Sequence, residues 1–134
     1  MEEWVKRGYL NEDFRLFHIR DKIELELNYH YHEFDKIVVF LSGKVTYVVE
    51  SKAYFLNPWD IVLVPHGQIH RPIIDTSEHY ERITLWIKPD YLKNSSLGGD
   101  DLRQCFARAE EKRFALIRPD SGARVTLMKL LKLE

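Results

Sequence analysis

Residues 28–50 read NYHYHEFDKIVVFLSGKVTYVVE, and how this stretch is read decides the fold. Side chains alternate between faces along an extended strand, so His30 and His32 share one face if the segment is extended. Two imidazoles aimed at one place suit a metal, a proton-handling pair or a polar anchor for a small ligand. After them KIVVFLSG runs apolar to Ser42-Gly43, where glycine tolerates the positive φ of a tight turn, and KVTYVVE returns. The pair reads as a hairpin.

Outward from this stretch, short strand-like runs separated by turn residues continue from Phe14 to about Lys88. FRLFHIR and IELEL flank Asp21-Lys22, and in the second Ile23, Leu25 and Leu27 alternate with Glu24 and Glu26, the mark of a half-buried strand. KAYFL ends at NPWD and IVLV ends at PHG, each stopped by a proline that removes a ladder donor. HYERITLWIK closes the series. Some eight strands with no helix between them predict a mainly β fold, an antiparallel barrel or two-sheet jelly roll.

Beyond Pro89 the pattern turns helical, with a break at Gly98-Gly99, Asp100 and Asp101 suited to a helix start, and Glu110-Glu111 on a solvated face. From Pro119 onward Ala123, Leu127 and Leu130, joined by Leu131, recur at helical spacing beside Lys129 and Lys132. That amphipathic helix packs on its own barrel, pairs with a second copy, or does both.

At 134 residues the chain makes one domain, and 45% hydrophobic with 31% charged residues excludes a disordered one. A net charge of -1 argues against nucleic-acid binding by this piece, since phosphate binding needs a concentrated basic surface. Cys105 is single, which rules out an intrachain disulfide and makes the cytoplasm the default address. In its probable helix it reads as a small buried hydrophobe rather than a nucleophile. No membrane partner is expected, because no apolar run reaches the roughly 18 residues of a span, and MEEWVKRGYL lacks signal-peptide features. The closing KLE reads as a cloning scar on a shortened chain, so that the natural protein is longer.

A second element, PHGQIH, follows the strand DIVLV and sets Pro65, Gly67 and His70 in a P-x-G-x-x-H pattern. Here the chain resembles the cupin fold, whose first motif is H-x-H, then a carboxylate four positions on, then a glycine, and whose second ends in a histidine after a proline-glycine turn. The resemblance implies that histidines from two separate hairpins meet inside the barrel. One departure stands out: the position four after His32, a glutamate in metal cupins, is Lys36, and an ammonium cannot bind a cation. Asp35 lies one residue away, which turns it to the other face. His30, His32 and His70 with an open position could still hold a divalent metal. The alternatives are internal histidines that keep the strands in register, or anchors for the hydroxyls or carboxylate of a ligand bound without metal.

In YERITLWIK, Tyr80, Arg82, Thr84 and Trp86 share one face and Ile83, Leu85 and Ile87 the other. Rings that lie against C–H surface, with a guanidinium fork for oxygen, suit a polar organic molecule. The competing reading is a solvent-facing stripe with an exposed Trp86. Trp59, in the NPWD turn, reads as a packing residue at the barrel end, where many relatives carry glycine.

Taken in order, GYLNEDFRLFHIRD, HYHEFDKIVVFLSGKVTYVVE, PWDIVLVPHGQIHRPI and YERITLWIKPDYL, followed by helices, resemble the amino-terminal sensing and dimerisation domain of AraC-type transcription regulators. The resemblance covers nearly the whole chain, and it implies three parts. Residues 1–13 form an arm, with Trp4 and Tyr9 as contacts over the barrel mouth. Residues 14–88 form a cupin barrel that binds a small polar effector, a sugar or sugar acid, through His30, His32, His70, Tyr80, Arg82, Thr84 and Trp86, without a cofactor. Residues 89–134 are helical and pair two copies through Leu127, Leu130 and Leu131, and a separate carboxy-terminal domain would contact DNA. Two rivals remain: a stand-alone metal-dependent cupin enzyme (dioxygenase, isomerase or lyase) using the three histidines, and a ligand-free interaction module whose barrel is filled by Phe34, Tyr47 and Phe55.

Overall fold

The computed structural model describes residues 5–6, 10–22, 30–94, 99–112 and 114–130, with the backbone alone at 5, 6, 30, 92–94 and 99–103. The predicted Ile23–Leu27 strand, Trp4, Tyr9 and Leu131 therefore lie outside the described residues. Mainly β, the chain forms two five-stranded sheets followed by helices. One sheet has the order β1 (Val5–Lys6), β3 (His30–Tyr31), β8 (His70–Ile74), β5 (Val45–Val49), β6 (Lys52–Phe55). The other runs β10 (Leu116–Ile117), β7 (Ile61–Val64), β4 (Asp35–Ser42), β9 (Tyr80–Ile87), β2 (Phe14–Asp21). This is the double-sheet barrel expected, and part of the anticipated arm joins it: β1 pairs in parallel with β3.

The hairpin expected at Ser42-Gly43 is absent. β4 pairs with β7 and β9, whereas β5 pairs with β6 and β8 in the opposite sheet. Gly43, at φ +124°, is a corner that passes the chain between sheets, and the β4 register slips beside it between Phe40 and Ser42. A Cβ at Gly43 would stand 2.9 Å from the His79 carbonyl oxygen and 3.2 Å from the Tyr80 Cα. Close backbone approach as well as the positive φ therefore requires glycine there.

β4 is apolar on both faces because both are covered. Inward, Val38 and Phe40 join Val45, Tyr47, Val49, Tyr54, Val62, Val64 and Tyr80 in the core between the sheets. Outward, Ile37 joins Leu63, Leu85 and Ile87 beneath Phe106 and Ala109 of α2 (Gly99–Lys112). Phe106 and Ala109 stand three residues apart on one helix face, and Cys105 lies at the edge of that face. It is exposed, contrary to the buried position expected. Glu110 and Glu111 are exposed as expected. Phe55 is 68% exposed on the outer side of β6 and does not fill the barrel, because its neighbour Tyr54 takes the inward position.

α1 (Pro89–Asn94) leads into α2, and α3 (Ser121–Leu130) follows β10. No α3 residue is buried: Leu127 is half-buried and Leu130 is 74% exposed. The stripe expected to pack on the barrel is covered only in part, with Leu127 and Met128 half-buried. The helix entry is held by polar contacts to the turn before β7. Arg118 donates two 2.8 Å hydrogen bonds to the fully buried Asp60 carboxylate, and Arg124 donates to the Pro58 carbonyl at 3.3 Å. Among the described residues no helix is long and apolar enough to cross a membrane.

Candidate functional site

The antiparallel register of β4 and β9 sets Lys36 opposite Trp86, Val38 opposite Thr84 and Phe40 opposite Arg82. Directly opposed residues share a face, and Val38 and Phe40 mark that face as the inner one. Tyr80, Arg82, Thr84 and Trp86 therefore line the barrel interior, not a solvent stripe. Tyr80 and Thr84 are buried, and the Trp86 indole Nε1 is enclosed with no hydrogen-bond partner.

His32 lies in the bend between β3 and β4. Its ring stacks on Phe34 at 4.5 Å between centroids and meets His70 at 4.8 Å and Trp86 at 5.9 Å. Trp86 in turn stacks on Phe34 at 4.4 Å and meets Phe17 edge-on at 4.8 Å. His70 is fully buried and lies parallel to Tyr47 at 6.2 Å. Its Nδ1 pairs with the Gln68 carbonyl at 3.0 Å, which requires a proton there and leaves the lone pair of a neutral ring on Nε2. The two histidine segments are tied together by their backbones: Gly67, at φ +80°, donates its N–H to the His32 carbonyl at 2.8 Å. At the backbone level His30 pairs with His70 across β3 and β8. Its side chain lies outside the described set.

Lys36 points to the same interior. Its Nζ donates to the Tyr47 phenol oxygen at 3.0 Å and lies 5.7 Å from that ring's centroid. Burial, reinforced by the like charge of Arg82, lowers the ammonium to about 8. Burial raises the Tyr47 and Tyr80 phenols well above their ordinary range, so both stay protonated. The Arg82 guanidinium lies 4.2 Å over the Tyr80 ring and is engaged by a partner from β2. Its Nη1 donates to Asp21 Oδ1 at 2.6 Å and to the Tyr80 carbonyl at 3.0 Å, and its Nη2 reaches Asp21 Oδ2 at 3.4 Å.

Asp35 takes the opposite face, as its offset from Lys36 dictates. Buried there, it accepts from the His66 backbone N–H at 2.8 Å and the His66 Nδ1 at 2.9 Å. Among the described side chains no group of three His, Cys, Asp or Glu could hold a metal. At the position where a metal cupin offers a carboxylate, this chain offers an ammonium bonded to a phenol, and an ammonium is not a metal ligand.

Sequence reasoning thus assembled His32, His70, Tyr80, Thr84 and Trp86 correctly as inward or buried groups. It missed the inward Lys36, the Tyr47 that holds it and the Asp21 that occupies Arg82. Period-2 counting from Val38 and Phe40 puts Lys36 on the inner face, and that signal was available in KIVVF. The glycine-like position of Trp59 is real: its φ is +74°, half-buried in the turn, and its N–H donates to the Phe40 carbonyl at 2.6 Å.

Residues 22–87 match the family described as Cupin domain. Among solved structures, the chain is similar to a Cupin 2 conserved barrel domain protein from Salinispora arenicola, with 18% identity, a TM-score of 0.51, and coverage of 63% of this chain and 71% of that one. An RmlC-like cupin family protein with a double-stranded β-helix fold from Methanocaldococcus jannaschii gives 17% identity, a TM-score of 0.51, and coverage of 64% and 81%. A conserved Streptococcus pyogenes protein of unknown function gives 19%, 0.51, 60% and 68%. These likenesses concern the fold. No curated protein matches the chain by sequence.

Proposed function

We propose that this cupin-domain protein is the effector-sensing and dimerisation part of an AraC-type transcription regulator, binding a small polar organic molecule in its barrel. The observation that carries this reading is Lys36, an inward ammonium where a metal-dependent cupin enzyme needs a carboxylate ligand. With metal chemistry disfavoured, an interior of Trp86, Phe34, Thr84 and the two imidazoles suits C–H surfaces and hydroxyls, as in a sugar or sugar acid. The partly exposed apolar side of α3 is a second support, because Val125 at 51% and Leu130 at 74% exposure are available to a second copy. Binding would act by population shift: an effector that prefers one arrangement of barrel and helices changes where attached DNA-binding domains sit.

The test is calorimetry with a panel of sugars and sugar acids on protein purified without a histidine tag, alongside elemental analysis. The expected result is one bound organic ligand per chain, abolished by Thr84→Ala with Trp86→Ala, and metal well below one equivalent. A tightly held, stoichiometric metal would move the assignment to the enzyme reading.

A further inference from the structure

We infer that Lys36 captures a small aldehyde or ketone in the barrel as a reversible imine, with the Tyr47 phenol beside it as the proton donor. The inference rests on the reading that the barrel takes an organic molecule, and it names the chemistry of that molecule. Among the described residues two cations face the interior, and they differ in what holds them. Arg82 has its fork on Asp21, a carboxylate opposed to it across β2 and β9. Lys36 has no carboxylate partner among the described residues, and its single hydrogen bond is to a neutral phenol. A lysine so placed gains little as a counterion for an anion, because its own charge is disfavoured by burial and by Arg82. As a neutral amine it is a nucleophile, and desolvation beside a second cation is the setting that activates lysines toward carbonyls.

The neighbouring groups fit the steps. The Nζ lone pair attacks the carbonyl carbon and forms a C–N bond while the carbonyl oxygen takes a proton. The carbinolamine then loses its hydroxyl and the remaining N–H proton as one water, which leaves C=N. No oxidant or reductant enters, and hydrolysis runs the same path backwards. Tyr47, kept protonated by burial and already 3.0 Å from Nζ, is the donor within reach of both oxygen-bearing stages. Among the described residues, the other titratable groups around the site are Tyr80 and Arg82 on β9, His70 on β8, Asp21 on β2, and His32 in the bend before β4.

The full chain is incubated with glyoxylate or dihydroxyacetone and sodium cyanoborohydride, and the reduced adducts are counted by intact mass and mapped by peptide. With its ammonium lowered from 10.5 to about 8, Lys36 holds roughly 300-fold more free amine at neutral pH than an ordinary lysine, and allowing for the weaker nucleophilicity of a less basic amine its labelling should outrun the exposed lysines by about tenfold or more. The expected result is one adduct per chain on Lys36, with a rate that rises through pH 8. It should be absent in Lys36→Met, which keeps the volume without the amine, and slowed in Tyr47→Phe. Adducts spread over exposed lysines with Lys36 unmodified would overturn the inference. Calorimetric binding of either probe or of a panel sugar without an adduct on Lys36 would overturn the imine and leave the sensing reading standing. No heat from any of them, and no adduct, would sink both.

Discussion

The sheet β10-β7-β4-β9-β2 has two faces built from alternate residues of the same strands, and they serve different ends. Outward, Ile37, Leu63, Leu85 and Ile87 form an apolar cluster with Phe106 and Ala109, and a buried charge on that face, Asp35 at the start of β4, is bonded to His66. Inward, the same strands carry Lys36, Tyr80, Arg82, Thr84 and Trp86 among valines. The two faces are comparably buried, so burial does not tell them apart. The difference lies in hydrogen-bonding and charged groups, which lower stability unless something else is gained from them. The outer face is closed largely by apolar packing, and the inner face carries polar groups whose burial lowers stability.

The largest effect that would sharpen this contrast is Phe106→Ala, which should cost about 3 to 5 kcal/mol in chemical denaturation, as for other buried aromatics. Its carbonyl trapping at Lys36 should be unchanged. Gly43→Ala comes next, at about 2 kcal/mol or more, from a Cβ driven onto the His79 and Tyr80 backbone at a left-handed φ. If denaturant melts showed it neutral, the corner would not be the constraint described.

Lys36→Met should act in the opposite direction and stabilise the protein by about 2 kcal/mol at pH 7. The sign follows from protonation. With its ammonium lowered from 10.5 to about 8, the native state binds fewer protons than the unfolded chain between those values. The penalty is complete below pH 8 and is relieved as pH rises toward 10.5, so the variant's advantage should shrink across that window. Tyr47 and Tyr80, raised by burial, pull the other way only above about pH 10, which makes pH 7 to 9.5 the range for thermal melts. An advantage constant with pH would mean that Lys36 is not desolvated. The smallest expected change is Leu130→Glu: under about 0.5 kcal/mol in stability, because the residue is 74% exposed. In sedimentation, however, it should shift the protein toward the monomer.

The β runs and the double-sheet fold were legible because turn chemistry and alternation are local properties. The partner of each strand was not. KIVVFLSG and KVTYVVE look like a hairpin because Gly43 supplies the same positive φ to a tight turn and to a sheet-crossing corner, and only the His79 and Tyr80 backbone distinguishes them. The inner face of β9 was readable from YERITLWI, since one strand fixes which residues share a side. The partner of Arg82 was not, as Asp21 comes from a strand distant in sequence. Cys105 and α3 failed for a third reason. A helical apolar pattern names a stripe without saying what covers it, and the α3 stripe is covered only in part.

Asp60 has a consequence for mechanics. Its carboxylate fixes Arg118 just before α3, and the Asp60 backbone N–H donates to the Asn57 carbonyl within the same turn. At its start α3 is thus bolted to the barrel, while at its far end Leu130 is 74% exposed. Ten residues of helix make a rod about 15 Å long, so a tilt of about 10° at the bolt carries Leu130 sideways by between about 2 and 3 Å. The turn at Asn57–Asp60 is a fulcrum, and the helix is the pointer that magnifies what happens there.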